Sequence, residues 1–410
     1  MSRAKEAVPV SLRRLFLTVP FVGAAAPLAY ATSGYFLPIQ VQAIDDGAKV
    51  GNLALINTLS ACAAMVAQPV IGLLSDRTRT RFGARAPWMV AGAAIGFAAL
   101  LLAGQASTVA LLIVAMMLVQ FGFNAFQGPL GAIMPDRVPT RLRGRYSTLI
   151  GLGQVLGAIL GPVLASLFLS RIPTGYATFS VVVLAVILLF IVLNRDPGNR
   201  DLARPPFSAA AFLKAFWVNP VRHPDFFWAF LGRILIFGGY YMALTYSFYI
   251  AQDYLGLDAE EAARLTPLLG LAGVPGFLVA IAVSGPLSDR MGRRKPLTLT
   301  GGLVISLSAL VPLLMPTAAG MFLSAIVATI GFGVFISVDQ ALVSEVLPSR
   351  DDFAKDLGVL NLAATLPNTV APAAAGAVVS AFGGYGPLYG AVAIITVLGA
   401  LAVLPIKGVR

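Results

Sequence analysis

Two ionisable side chains, Arg233 and Asp339, lie well inside long apolar stretches of the sequence. A charge in the core of a membrane is costly, so such residues usually pair with one another or serve a function. Counted from the nearer ends of their stretches, the two lie at similar depths of roughly 9 to 11 Å if both stretches are helical. Similar depth makes a contact between the two side chains possible, so they are a candidate charge pair. Either its protonation or separation accompanies a working cycle, or it is static and orients the second half of the chain.

Uncharged polar side chains recur at helical spacing in two other apolar stretches. Residues at i, i+4 and i+7 share one helix face. They are Gln120, Asn124 and Gln127 in one stretch, and Asn361, Thr365 and Asn368 in the other. Amides and hydroxyls on one face are suitable partners for the hydroxyl groups of a small polar solute, but they also hold helices together in lipid. Both interpretations stay open, above all for the stretch that contains Asn361.

Aromatic residues are concentrated in the stretch that contains Arg233. Tyr240 and Ser247 follow it by seven and fourteen residues and are expected on the same helix face, where an aromatic ring could stack on a ring-shaped solute. Tyr249, near the outer end, is expected to anchor the helix at the membrane interface. The predicted solute ligands are Gln120, Asn124, Gln127, Arg233, Tyr240, Gln340 and Asn361, and Asp339 with Arg233 is the predicted proton-coupling pair.

A charged loop, GLLSDRTRTRFGARAPW at residues 72–88, separates two apolar stretches. Gly72 is expected to let neighbouring helices approach closely, and Asp76 to face a following helix N-terminus or a basic partner. The arginines of the loop can bind carboxylates. Such pairs could hold one end of a pathway shut and part when it opens. For any single arginine, the alternative is that its charge only sets membrane topology.

Two motifs return in the second half of the chain. GLLSDR at 72–77 returns as GPLSDR at 285–290, and Asp136-x-x-Pro-x-Arg returns as Glu345-x-x-Pro-x-Arg. The offsets, 213 and 209 residues, are close to half the chain, which predicts an internal duplication. We place the halves at residues 1–194 and 226–410, with a linker at 195–225. The predicted gate comprises Gly72, Asp76, Arg77, Arg81, Asp136, Gly285, Asp289, Arg290 and Glu345.

The composition is that of a membrane protein. Of the 410 residues, 58% are hydrophobic and 11% charged, whereas about a quarter of a soluble domain is charged. Crossing a bilayer takes about 20 apolar residues. We predict transmembrane helices at Leu15–Gln42, Ala54–Leu74, Pro87–Gly104, Val109–Pro135, Tyr146–Leu169, Thr178–Leu193, Phe226–Ile250, Leu265–Leu287, Leu297–Met315, Met321–Val343, Leu357–Phe382 and Pro387–Leu404. The predicted fold class is an all-α membrane protein with two parallel six-helix halves.

The net charge of +11 is distributed by membrane side. With the N-terminus in the cytoplasm, all 29 Lys and Arg residues fall on the cytoplasmic side except Lys49, Arg171, Arg264 and the intramembrane Arg233. This asymmetry follows the positive-inside rule and requires no nucleic-acid partner. We therefore expect a multi-pass protein of the plasma membrane, with both termini cytoplasmic and the lipid bilayer as its surroundings.

The sequence contains no recognisable catalytic set. The lone His223 precedes Pro224 in an expected loop, and no metal-ligand spacing, phosphate-binding loop or Ser-His-Asp arrangement occurs. We expect no enzyme activity, no cofactor and no metal. Two parallel halves in one membrane are typical of a secondary transporter that alternates access by rocking one half against the other.

At the charged loops the sequence resembles the major facilitator superfamily, whose signature there is Gly-x-x-x-Asp-Arg followed by basic residues. Residues 67–92, the pattern Asn124-x-x-Gln127-Gly128-Pro129 and the segment Leu357–Ala363 resemble sucrose/proton symporters and related glycoside–cation symporters. The resemblance implies a twelve-helix fold whose first, fourth, seventh and tenth helices line a central cavity, so that Arg233 and Asp339 could meet there. It implies proton-coupled uptake of a neutral sugar or glycoside, here expected from a monomer.

The chain departs from this pattern at several positions. Gln120 stands where sucrose symporters usually have a carboxylate, Gly131 where they have an arginine, and the second apolar stretch contains no Asp or Glu for a sodium site. Two other transport functions stay open: a proton-coupled exporter of drugs or metabolites, and a carrier of a small anion held by Arg233. A membrane receptor that has lost transport is a third alternative, which the intact motifs in both halves disfavour.

Overall fold

The protein is all-helical over the part that the computed structural model describes, residues 10–196, 198–199, 223–346 and 353–407, where no strand occurs. Twelve helices of 17 residues or more lie in these ranges. They are α1 Val10–Ile44, α2 Lys49–Arg77, α3 Ala86–Gly104, α4 Val109–Arg137, α5 Arg143–Ala165, α6 Ile172–Leu193, α7 Pro224–Thr245, α8 Ala259–Met291, α9 Lys295–Leu314, α10 Ala318–Glu345, α11 Phe353–Phe382 and α12 Tyr385–Leu401. The all-α membrane fold predicted from the sequence is confirmed.

Several helices continue beyond the apolar stretches that predicted them. Over the described residues, nine helical segments are long and apolar enough to cross a membrane, and two shorter apolar helices follow near the C-terminal end. α8 shows why a helix outruns its apolar part. Asp258 and Glu261 form a capping box before its first turn, and Gly292 ends it with a left-handed backbone at φ 58°. Capping and not hydropathy sets these ends.

α7 ends earlier than the sequence predicts, at Thr245 instead of Ile250. Tyr246 leaves the helical conformation, and a single helical turn and a π turn follow it. The phenol of Tyr246 is fully buried and donates to the carbonyls of Val50 (3.2 Å) and Pro372 (3.1 Å), contacts that hold the break in place. The expectation that Ser247 continues the helix face of Arg233 is therefore wrong.

The described residues separate into two compact units. The first contains the residues up to Asp45 and those of 59–206, and the second contains Asp46–Thr58 and those from 207 onward. The first turns of α2 thus pack with the second unit, a grouping that the duplication did not predict.

Helix pairing repeats between the two units. In the first, α1 packs on α5 and α6, and α3 packs on α4 and α6. In the second, α7 packs on α11 and α12, and α9 packs on α10 and α12. Each of these four pairings of the first unit recurs six helices later, as expected of a duplicated sequence. The contact of α8 with α10 in the second unit has no counterpart of similar extent between α2 and α4 among the described residues.

Paired glycines hold equivalent helices at close range. A Cβ on Gly92 of α3 would lie 2.6 Å from the carbonyl oxygen of Gly122 on α4, and a Cβ on Gly301 of α9 would lie 2.9 Å from that of Gly331 on α10. Both members of the second pair lie 209 residues after those of the first. Backbones that approach this closely are typical of membrane helices joined through small residues.

Candidate functional site

The second unit buries a charge pair between α7 and α10. Arg233 Nε lies 3.3 Å from Asp339 Oδ2, and the two side chains are only 5% and 3% exposed. The predicted contact between them is therefore present. Arg233 Nε and Nη1 and Asp339 Oδ2 make no hydrogen bond to any described residue. These three atoms therefore lack the hydrogen bonds that usually complete a buried ion pair, and their mutual attraction is the contact that holds them.

An aromatic cluster adjoins this pair. The guanidinium of Arg233 lies over the ring of Phe237, 5.5 Å from its centroid, and Phe237 packs edge-on against Phe332. Tyr240 stacks on Phe332 at 4.2 Å with an interplanar angle of 8°. One ring face of Tyr240 is thus covered by protein, which leaves at most its other face for a solute.

The polar face of α4 is organised by a residue that the sequence did not single out. Asn124 Nδ2 donates to Tyr30 Oη on α1 (2.9 Å), and to the backbone (2.8 Å) and side-chain (3.2 Å) oxygens of Gln120. Tyr30 in turn packs edge-on against Phe123. Gln127, one turn further on and partly exposed, makes no hydrogen bond to a described residue. Of the three amides, Gln127 has the most unused hydrogen-bonding capacity.

Three predicted positions cannot be placed. The side chains of Gln340, Glu345 and Asn361 lie outside the described residues. Their proposed roles remain predictions.

Arg85 connects the ends of three helices in the first unit. Standing just before α3, it donates through Nη1 to Asp76 at the end of α2 and through Nε to Asp136 Oδ2 at the end of α4 (3.0 Å). Nη1 also donates to Ser75 Oγ (3.1 Å). Burial lowers the pKa of Arg85, but Asp76 and Asp136 more than offset it, so that the pKa lies above its ordinary value. Arg85 is the centre of a charge-assisted network that ties the three ends together.

The second unit repeats part of this network. Arg294, just before α9, donates to Asp289 Oδ1 (2.5 Å) and Ser288 Oγ (2.9 Å) at the end of α8. The equivalent of Asp136 is Glu345, whose side chain is not described.

Two arginines of the predicted gate, Arg81 and Arg290, do not take part in these networks within the described residues. Arg81 lies over the ring of Phe82 (4.6 Å) and Arg290 is exposed, and neither forms an ion pair with a described residue. Arg77, the last residue of α2, is half-buried. A Cβ on Gly72 or Gly285 would meet no described atom within 4 Å, so the close helix approach expected there is absent among these residues. Close approach occurs instead at the paired glycines of α3 and α4.

A sequence signal for the two central arginines existed. Arg85-Ala-Pro and Arg294-Lys-Pro are 209 residues apart and each begins a helix with Pro at an early position. The preceding Ser-Asp pairs are 213 residues apart, because the first loop is four residues longer. That difference displaced the arginines from a motif aligned on Asp76 and Asp289.

The charged loop of the first unit, which is four residues longer than that of the second, forms hydrogen bonds with the segment after α6. Asn199 accepts through Oδ1 from the Thr80 amide (2.9 Å) and donates through Nδ2 to the Thr78 carbonyl (2.9 Å). Trp88 Nε1 donates to the Thr78 hydroxyl (2.8 Å). Nearby, Asp196 pairs with Arg137 at 3.2 Å, and burial raises the pKa of Asp196 although Arg137 offsets part of the effect.

A second ion-pair cluster involves the first residue of α2. Lys49 Nζ lies 2.9 Å from Asp253 Oδ1 and 3.2 Å from Asp46 Oδ1, and it lies over the ring of Tyr249. Tyr385 Oη donates to Asp253 Oδ2 (3.1 Å). Tyr249 is fully buried, so its predicted place as an interfacial anchor is wrong. Sequence reasoning had treated Lys49 only as a topological charge.

The described residues contain no group of three or more His, Cys, Asp or Glu side chains placed to hold a metal ion. What the geometry provides is a buried charge pair, polar and aromatic helix faces, and ion-pair networks at helix ends.

A family model for the Major Facilitator Superfamily matches residues 21–348 and 275–409. The chain belongs to the major facilitator superfamily. No curated protein matches the sequence significantly.

Solved structures of major facilitator proteins share the fold. One is a bacterial homologue of the human lysosomal transporter Spinster, with a TM-score of 0.72, 15% identity, and coverage of 97% of this chain and 96% of that chain. Another is the nucleoside transporter NupG, with a TM-score of 0.75, 14% identity, and coverage of 96% and 99%. Together the family and the fold identify a multi-pass membrane transporter of small molecules, not an enzyme.

Proposed function

We propose that the protein is a secondary active transporter that couples proton movement to the uptake of a neutral sugar or glycoside by alternating access. The observation that carries the proposal is the buried pair of Arg233 and Asp339. Protonation of Asp339 removes the charge that balances Arg233, and so does separation of the two side chains. A proton and a change in helix packing therefore act on the same contact, which is what coupling requires.

The charge balance of the pair favours a neutral substrate. Asp339 neutralises Arg233 at 3.3 Å, so an anion would have to displace the carboxylate before it could bind the guanidinium. A cationic substrate would meet the converse obstacle. A hydroxyl-rich neutral solute needs only hydrogen-bond partners and an apolar ring face.

Groups of this kind are present in both units. The amide of Gln127 makes no hydrogen bond to a described residue, and Asn124 and Gln120 form a polar group fixed by Tyr30. In the aromatic cluster beside Arg233, the ring face of Tyr240 that Phe332 does not cover is the one that a solute could contact. The resemblance of residues 67–92 and of the Asn124 segment to sucrose and glycoside symporters supports the same substrate class. A nucleoside, named for one structural neighbour, is also neutral and hydroxyl-rich and belongs in any substrate panel.

The ion-pair networks are suited to gating. The Arg85 network joins helix ends on the side that we assign to the cytoplasm from the basic loops, and the Lys49 cluster lies at the other end of α2. We assign the first to the inner gate and the second to the outer gate. In this assignment the protein is a plasma-membrane monomer with both termini in the cytoplasm.

The proposal is tested by uptake of labelled mono- and disaccharides and nucleosides into proteoliposomes, with and without an inward proton gradient. The variant is Asp339→Asn. Its control is Asp258→Asn, an exposed acid-to-amide change at a helix cap where Asn is as good as Asp. We expect the wild type and the control to accumulate one solute under the gradient. Asp339→Asn should lose accumulation and keep exchange of that solute.

Accumulation that survives in Asp339→Asn would remove the coupling role from this pair. Absence of sugar or nucleoside uptake by folded wild-type protein, with or without the gradient, would contradict the substrate class. It would direct the search to export of lipophilic compounds or to small anions.

A further inference from the structure

Three arginines line a cavity of about 400 Å³ at one polar end of the first unit. Arg14 comes from the second turn of α1, Arg137 from the end of α4, and Arg195 from the segment just after α6. Asn194 also lines it and donates through Nδ2 to Thr18 Oγ1 (2.9 Å), which fixes the end of α6 to α1. A cavity of this volume is within the range that binds small molecules.

Two of the three arginines that line the cavity have no ionic partner among the described residues. Arg137 is paired with Asp196 (3.2 Å) and donates to the carbonyl of Asn194 (2.8 Å). Arg14 and Arg195 are exposed and form no ion pair within the described ranges. Guanidinium groups bind phosphate oxygens through two parallel hydrogen bonds. Two of them beside one cavity are suited to bind a phosphate-type anion.

Apolar side chains lead away from the cavity along the same two helices. Leu17 and Phe21 follow Arg14 by three and seven residues and share its face of α1, and they are 71% and 67% exposed. On α6, Leu188 and Val192 are one turn apart and exposed, and the helix ends just before Arg195. These apolar side chains contribute nothing to the binding of a free inorganic ion, whereas they can contact the acyl chains of a lipid.

We propose that this cavity binds the phosphodiester headgroup of an anionic membrane phospholipid, with its acyl chains along the exposed faces of α1 and α6. Basic residues at the junction of apolar helix and polar loop lie at the depth of lipid headgroups. The site is separate from the proposed coupling pair, which lies in the other unit, and does not depend on the identity of the transported solute.

The test uses delipidated full-length protein in detergent, titrated with dioleoyl phosphatidylglycerol and followed by native mass spectrometry. The variant Arg14→Gln/Arg195→Gln removes the two unpaired charges. The control Arg13→Gln/Arg290→Gln removes the same charge from exposed arginines that do not line the cavity. Each arginine near an anionic lipid contributes about fivefold, so the variant should bind phosphatidylglycerol about 30-fold more weakly. The control should stay within about twofold of the wild type.

Two further ligands distinguish the source of the phosphate. Zwitterionic phosphatidylcholine should bind wild type and variant equally, and inorganic phosphate at millimolar concentration should not displace phosphatidylglycerol. Equal weakening in the variant and the control would show diffuse electrostatic attraction and overturn the site. Displacement by inorganic phosphate would overturn the lipid assignment and leave a site for a soluble anion.

Discussion

Asp339→Asn leaves a guanidinium buried without a counter-charge. Nε of Arg233 and Oδ2 of Asp339 are 3.3 Å apart, and two unit charges at that distance attract by about 5 kcal/mol at an effective dielectric constant of about 20. The desolvation of both groups opposes this attraction. Removal of one partner of a buried pair therefore lowers the free energy of unfolding by about 3 to 5 kcal/mol.

The two single substitutions should differ. Arginine stays charged at any accessible pH, and Arg233 Nε and Nη1 have no other hydrogen-bond acceptor among the described residues. Asp339→Asn should therefore show the full loss. In Arg233→Gln the remaining carboxyl group can take up a proton and become neutral, so the loss should be smaller. The double variant Arg233→Met/Asp339→Leu, which removes both charges, should unfold with nearly the wild-type free energy.

The assay is equilibrium unfolding in mixed detergent micelles, followed by tryptophan fluorescence, to which Trp228 on α7 contributes. An Asp339→Asn protein as stable as the wild type would refute the reasoning. It would mean that a buried Arg233 without its counter-charge does not lower the free energy of unfolding. The double variant then separates the two roles predicted for the pair. If the pair is static, the stable double variant accumulates solute normally; if it couples, the double variant is stable but cannot accumulate.

Three further predictions concern the helix ends and their packing. Arg85→Gln should slow transport about tenfold or more with little change in substrate affinity, because each lost hydrogen bond to a charged group removes about 1.5 to 3 kcal/mol from the gate. The control is Arg81→Gln. Stopped-flow uptake gives the rate, and a binding titration gives the affinity. Gly92→Ala should cost about 1 to 3 kcal/mol because its Cβ would lie 2.6 Å from a facing carbonyl oxygen, whereas Gly72→Ala should be neutral or stabilising by up to about 1 kcal/mol in the same unfolding assay. Asn199→Ala removes the acceptor of one loop amide at 2.9 Å and should accelerate hydrogen exchange of that amide at least tenfold.

These three predictions have distinct contrary outcomes. Equal slowing in the Arg85 and Arg81 variants would reduce the network to a general effect of charge. Unchanged stability on addition of a methyl group at Gly92 would mean that α3 and α4 separate at little cost. Unaltered exchange of the Thr80 amide would show that its protection does not depend on Asn199.

The sequence was sufficient for the features that depend on composition and periodicity. Apolar stretches predicted the helices. The similar depth of two intramembrane charges, together with the family resemblance, predicted the contact between Arg233 and Asp339. It was insufficient where one long-range contact determines local structure. The end of α7 depends on where the phenol of Tyr246 finds its acceptors, and the position of Lys49 depends on a carboxylate about 200 residues away.

The arginine network shows a different limitation. Both central arginines, Arg85 and Arg294, occur in the sequence as Arg-x-Pro. When the two motifs are aligned on Asp76 and Asp289, however, the two arginines fall out of alignment, because the loops differ in length by four residues. Tyr30 could not be singled out from the sequence, because it is one aromatic residue in an apolar helix and no polar residue stands at the i+4 or i+7 spacing from it. Its role appears only when α1 and α4 are packed and Asn124 reaches its hydroxyl.

The clasp between Asn199 and the loop at Thr78 and Thr80 has a mechanical consequence. The connecting segment is tied to the first unit at this loop, six residues beyond the last residue of α6. A force on the segment after Asn199 therefore acts on the loop that ends at Arg85, and it does not act along the axis of α6. The corresponding loop of the second unit is four residues shorter. The two duplicated halves therefore differ at this loop, since in the first unit the hydrogen bonds of Asn199 couple the segment after α6 to the loop that carries Arg85.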